Sequence, residues 1–377
     1  MSDAIRAVRA LTATLALPSP LQLGPVCITE REYAAVRVET DDGLVGKAYC
    51  LSRNAPVVEC VERLIAPVVL GRDPEHVERC WQECFRATVM VGRVGLVMRA
   101  LGLVDIALWD IAAQRAGRPL WMLLGGSEDR VRAMIVAAYP IADRSPESLA
   151  DDVVRLSRAG YSLLKVARDG NIERMRELLT TARDGLPASA ELVVDAGFGW
   201  VDAETALAEI AGWDGVPLAW LEDPLVPEDI SGCAAMRSDG PYPIGIGDEV
   251  SDPNTYRALV AAGALDLVRL DVVAIGGITP ARKIAELAVA HTLPLSLHVY
   301  PQMSVHLAMT MPGGQGIVEQ FDPDVPGGNP LDPAHRLCCG GPRIESGWML
   351  PPVESGLGFD LDWERFAPRS AQQENVA

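Results

Sequence analysis

The sequence predicts an α/β protein in which a small α+β domain precedes a barrel of parallel βα units. Two observations carry this. Near residue 130 the chain changes from antiparallel alternation and long helical patterns to short apolar strand cores separated by amphipathic stretches, which is how parallel βα units read. Almost every later strand core is followed at once by an ionisable residue: Lys165, Asp195, Glu222, Glu249, Asp271, His298 and Glu319, at successive intervals of 30, 27, 27, 22, 27 and 21 residues. Each interval is about one βα unit, so these side chains fall at equivalent strand ends on one rim of a barrel.

In chain order, residues 5–15 and 33–39 alternate as strands, and the turn Asp41-Asp42-Gly43 leads into a third over 44–49. Helical periodicity follows over 55–70, 74–85 and above all 98–115, where Leu101, Val104, Asp105, Leu108 and Ile111 recur until Gly117 and Pro119 stop the helix. The α+β domain spans residues 1–125 and the barrel 126–353, with a C-terminal segment over 354–377. Barrel strand cores are expected at 134–138, 163–166, 192–194, 218–221, 244–247, 267–270, 295–297 and 316–318. Helices are expected between them, for example at 146–159, 172–186, 202–210 and 280–291.

Composition removes several function classes. With 377 residues, 49% of them hydrophobic and 22% charged, the chain can bury one large core or two modest ones, which excludes disordered and fibrous architectures. Apolar runs such as 65–70 stop far short of the roughly 20 residues a membrane span needs, so no membrane partner is expected. Arg6 and Arg9 precede an apolar patch, but Thr12 and Thr14 interrupt it, so the N-terminus reads as a strand rather than a secretory signal. The eight cysteines form no CxxC pair and read as reduced thiols, which fits a cytoplasmic location. A net charge of -18 without a basic run argues against nucleic acid.

The rim has a definite chemistry. Asp195, Glu222 and Glu249 on consecutive strands cannot stay ionised side by side without a cation. Oxygen ligands without Cys or His select a hard ion, and Mg2+ fits better than Zn2+. Such an ion can chelate a carboxylate and hold the charge that develops when the adjacent carbon loses its proton. His298 is the expected base, and Asp271, one strand earlier, is placed to fix its tautomer. The remaining histidines, His76, His291, His306 and His335, read as structural or surface residues.

At this point the residues resemble the enolase superfamily and, within it, the mandelate racemase subgroup. The resemblance rests on Gly102-Leu-Val-Asp-Ile-Ala-Leu-Trp-Asp110, Leu123-Leu-Gly-Gly126, Val194-Asp195-Ala196, Trp220-Leu-Glu222-Asp-Pro224, Gly247-Asp-Glu249, Asp271-Val-Val-Ala-Ile-Gly-Gly277 and Ser296-Leu-His298. It implies an α+β capping domain, a modified (β/α)7β barrel of TIM type and a C-terminal segment that returns to the cap. It also implies Mg2+ on Asp195, Glu222 and Glu249, a His298–Asp271 dyad, and Glu319 near the substrate carboxylate or leaving group. The segments at 18–26, Arg53 and 89–93 are expected over the mouth.

One departure bears on the reaction. The family's second strand carries Lys-x-Lys, whereas this chain reads Leu164-Lys165-Val-Ala167-Arg168. Either Lys165 matches the first, carboxylate-binding lysine and Ala167 replaces the base, or Lys165 is itself the base and Leu163 the vacancy. Strand alternation puts all three on one face and leaves both alignments open. Inversion of a stereocentre needs a base on each face, whereas dehydration can use one histidine as base and then acid. The expectation is a Mg2+-dependent dehydratase of aldonic or aldaric acids, acting on a small-molecule carboxylate and assembling as a homo-oligomer. The alternatives are a racemase, epimerase or cycloisomerase on the same scaffold, or a non-catalytic carboxylate binder. Arg168, just past the strand, is expected to add positive charge for the anionic substrate.

Overall fold

The computed structural model describes residues 4–23, 26–139, 144–322, 325, 328–329 and 331–368. The chain opens with an antiparallel sheet of β1 (Ile5–Leu23), β2 (Val26–Thr40) and β3 (Val45–Leu51), in that order. The first hairpin runs further than alternation predicts: pairing resumes at Leu21–Ile28 and continues to Leu23–Val26 after a register shift between Ala16 and Leu21. Pro18 and Pro20 fall inside that shift, where no ladder bond is asked of them. The segment 18–26 is thus the end of a hairpin rather than an open loop; residues 24–25 lie outside the described residues.

The helix Leu96–Arg115 is apolar almost all round, and its burial explains why. One flank packs on β3 and another on the barrel helix Ile278–Ala290, so no face is left for a polar stripe. Its buried Asp105 is satisfied across that junction by the Thr279 backbone N–H at 2.9 Å and hydroxyl at 2.6 Å.

Eight parallel strands then close into a barrel: β4 (Val131–Val136), β5 (Leu163–Ala167), β6 (Glu191–Asp195), β7 (Trp220–Glu222), β8 (Ile244–Ile246), β9 (Leu267–Leu270), β10 (Leu295–Leu297) and β11 (Gly316–Gln320). Pairing of β11 with β4 completes the ring. A helix follows each of the first seven strands, from Pro146–Arg158 to Pro301–Ala308, which gives the (β/α)7β arrangement. The first barrel strand begins earlier than the apolar pattern at 134–138 suggests, because Val131 and Arg132 also pair with a late strand.

The chain after the barrel forms β12 (Cys338–Gly340), β13 (Arg343–Glu345), β14 (Trp348–Leu350) and β15 (Phe359–Leu361). It then returns to the cap: Ala367 bridges Thr12, and Leu357 N donates to the buried Asp110 carboxylate at 2.9 Å. His306 is buried there, its Nδ1 accepting from Trp121 N and its Nε2 facing the Leu357 carbonyl, each at 3.1 Å. No helix among the described residues is long and apolar enough to cross a membrane. All eight cysteines are free thiols.

Candidate active site

The site follows from strand alternation. Met134, Leu163, Val193, Trp220, Leu267 and Ile317 form a separate apolar cluster inside the barrel. Two residues further along five of these strands, on the same inward face, stand Lys165, Asp195, Glu222, Arg269 and Glu319. A plug of apolar side chains is therefore floored over by a layer of charges at the C-terminal ends of the strands, the end where barrel chemistry is placed.

Asp195, Glu222 and Asp248 bring carboxylate oxygens within 4.8 Å of one another. The third partner is thus Asp248 and not Glu249, which differs from the sequence expectation. The reason lies in the backbone. Gly247 has φ 144°, and a β-carbon there would collide with the Arg269 carbonyl oxygen, so only glycine fits. Asp223 then grips the turn, its two carboxylate oxygens accepting from Gly247 N at 2.8 Å and Asp248 N at 3.1 Å. Asp248 is aimed inward, while Glu249, at φ 58°, turns toward the cap. Its oxygens meet Arg53, at 2.7 Å, and Arg99.

Two buried cations balance the floor. Lys165 Nζ lies 2.7 Å from Glu222, 3.0 Å from Glu319 and 3.1 Å from Asp195. Burial alone lowers its pKa, but Asp195 and Glu222 outweigh burial and hold the ammonium above its ordinary range. Arg269, fully buried, lies 2.7 Å from Asp248 and 3.2 Å from Glu222, also contacts Glu319, and donates to Ser296 Oγ at 2.8 Å. Burial raises the Asp248 pKa; Arg269, His298 and Lys165 more than reverse this and keep it ionised. Three oxygen donors with no sulfur or imidazole suit a hard divalent cation such as Mg2+.

His298 stands beside this group. Its Nδ1 is 3.0 Å from Asp271 Oδ2, and its Nε2 is 3.5 Å from Asp248. The other Asp271 oxygen accepts from Val273 N and Ala274 N, both at 2.8 Å. Burial works to raise the Asp271 pKa, but the His298 bond and Arg99 lower it. An ionised acceptor at Nδ1 places the ring proton there and leaves Nε2 as the basic nitrogen facing the cavity.

That cavity, about 230 Å³, is lined by Lys165, Asp195, Asp248, His298 and Glu319 below, and by Arg31, Arg53, Tyr139 and Tyr300 above. Arg168 is not among its lining residues. It turns outward, bidentate to Glu209 at 2.7 and 2.6 Å and 4.4 Å from the Trp200 ring centre, so its charge is spent on the helical layer. Arg53 reaches the mouth as expected. Sequence reading passed over Asp248, Arg269, Arg31 and Tyr139. Arg269 had a signal, the same two-residue step from an inward apolar position that marks Lys165 and Glu319. Arg31 had none, since it sits on a cap strand whose approach to the mouth is tertiary.

Two family patterns match the chain: "Mandelate racemase / muconate lactonizing enzyme, N-terminal domain" over residues 5–125, and "Enolase C-terminal domain-like" over residues 148–365. The chain is similar to L-talarate/galactarate dehydratase of Salmonella typhimurium, 30% identical over 319 residues that cover 82% of this chain and 80% of that one. It is also similar to D-galactarolactone cycloisomerase of Agrobacterium fabrum, 28% identical and covering 87% and 86% of the two chains. Among solved structures, L-talarate dehydratase from a Polaromonas species, complexed with Mg and L-glucarate, superposes with a TM-score of 0.86 at 29% identity, covering 96% of each chain.

Proposed function

The chain belongs to the mandelate racemase/muconate lactonizing enzyme family of the enolase superfamily, and from that footing we propose that it dehydrates an acid sugar by abstracting the proton α to the carboxylate. The single observation behind this reading is that His298 presents a basic Nε2 to the cavity while the residue two beyond Lys165 is Ala167. The cavity thus has one oriented base, His298, and one lysine, Lys165, whose ammonium is held by three carboxylates.

Asp195, Glu222 and Asp248 are the proposed ligands of Mg2+, an assignment supported by their oxygen donors and by the Mg-bound relative. When bound, the ion supplies a Lewis acid that offsets the charge developing on the substrate carboxylate. Lys165, held protonated by its carboxylate neighbours, donates hydrogen bonds to that carboxylate and is not the base. Glu319 and Arg269 fix its position. His298 Nε2 takes the α-proton, and the C–H electron pair passes into an enediolate. As the adjacent C–O bond breaks, the imidazolium returns that proton to the departing hydroxyl, releasing water and an enol that tautomerises to a 2-keto-3-deoxy acid.

The test is a screen of aldonic and aldaric acids with Mg2+ for keto-acid formation, coupled to solvent-deuterium exchange at the α-carbon. His298→Asn should lose roughly 10²- to 10⁴-fold in turnover and all α-exchange. Continued exchange in that variant transfers the base role to Lys165. A second reading, cycloisomerisation, is favoured by the D-galactarolactone cycloisomerase relative; a product isomeric with the substrate and formed without loss of water selects it.

A further inference from the structure

We propose that the cap end of the cavity is a second carboxylate subsite built on Arg31, so that the substrate is a dicarboxylic acid sugar and not a monocarboxylic one. This rests on the acid-sugar reading above and names which acid sugar it concerns.

The cavity falls below the roughly 300 to 1,000 Å³ of pockets for drug-sized ligands, so it suits a short chain held at both ends. Its lower end binds one carboxylate. Its upper end carries two arginines, Arg31 and Arg53, and two acids, Glu249 and Asp332, and these are unevenly shared. Glu249 is shared by Arg53 and Arg99. Asp332 is engaged by the Tyr33 hydroxyl and by Ala334 N at 3.0 Å. Arg31 has no carboxylate within ion-pair distance among the described residues, and its Nε makes one long bond, 3.4 Å, to the Leu331 carbonyl. Both acids are therefore engaged by other groups, and Arg31 lines this end without a close carboxylate among the described residues, in a chain whose net charge is -18.

Arg31 is half-buried, and burial lowers its pKa more than Asp332 restores it. Arg53 differs: burial lowers its pKa too, but Glu249 reverses the effect. A guanidinium left under-compensated in a cleft is a poor structural choice, because a carbonyl at 3.4 Å does not require a charge. It is a good receptor for a planar anion, which it binds bidentately. Tyr139 lies between the ends: burial raises its phenol pKa, and it feels Asp195 and Lys165 below and Arg31 and Arg53 above. It lines the same cavity, so its phenol can serve the hydroxyls that a sugar acid carries between its ends.

The test measures binding of galactarate and galactonate by calorimetry in the presence of Mg2+, using His298→Asn so that bound acid is not consumed. Galactarate should bind more tightly than galactonate. Arg31→Met should weaken galactarate by roughly 10- to 100-fold, the range of a charge-assisted hydrogen bond, and leave galactonate unchanged. Arg31→Lys, which keeps the charge but not the fork, should recover part of the loss. Equal binding of the two acids, binding of neither, or an equal loss for both in Arg31→Met overturns the subsite. The dehydratase reading fails on a different result: no keto acid from any acid in the parent enzyme, whichever acid binds.

Discussion

Arg269→Met should make the stability of the protein depend more strongly on metal. The guanidinium is fully buried and touches Asp248, Glu222 and Glu319, and Asp195 completes the acidic floor. Methionine fills similar space but leaves Lys165 to balance four carboxylates. Removing one partner of a buried ion pair costs about 3–5 kcal/mol, because the other charge stays behind uncompensated. At roughly 2 °C per kcal/mol, the scale for domains of this size, the melting temperature in chelator should fall by about 6–10 °C. Mg2+ at a hundredfold excess over its Kd adds about 2.7 kcal/mol and should restore most of the loss. The variant should also bind Mg2+ more tightly than the parent, since a competing cation has gone. Calorimetric melting and Mg2+ titration read both quantities. A variant that melts with the parent in chelator and gains no more from Mg2+ than the parent does would refute the argument that Arg269 stands in for missing charge.

Two other outcomes are specific. Asp248→Asn should lose calorimetric Mg2+ binding and turnover, whereas Glu249→Gln should keep Mg2+ binding and lose part of the cap's hold on the barrel through Arg53 and Arg99; the reverse pattern restores Glu249 as the ligand. Burial pushes the His306 pKa down from 6.5 to about 4, so between those values the unfolded chain takes a proton that the native chain refuses. Stability should therefore fall as pH falls through that window, by roughly 3 kcal/mol in all at about 1.4 kcal/mol per unit, and denaturation of His306→Gln between pH 7 and pH 4 should show a shallower fall than the parent.

Most of the barrel is legible in the chain because its grammar is local: short apolar cores, amphipathic helices and a charge at each strand end. The dyad was legible for the same reason, since Asp271 and His298 each follow their strand directly. Asp248 was not. Between β8 and Glu249 the backbone leaves extended geometry at Gly247, and counting by twos fails across such a residue. Arg168 misled in the opposite way, because position just past a strand does not say which way a long side chain turns, and Glu209 and Trp200 draw it outward. The length of the first hairpin was hidden by Pro18 and Pro20, which argue against a strand until a register shift absorbs them.

The return of residues 356–367 to the cap sets an order of assembly. Asp110, buried in a cap helix, receives a backbone donor from Leu357, 247 positions later, and Thr12 waits for Ala367. Chains emerge from the ribosome N-terminus first, and long-range contacts form slowly. The cap is thus made early and finished late: Lys47 can hold Asp110 from the start, but the Leu357 donor and the Ala367 bridge arrive only after the whole barrel is synthesised. A chain stopped at the end of the barrel would therefore carry a cap that lacks its last backbone partners.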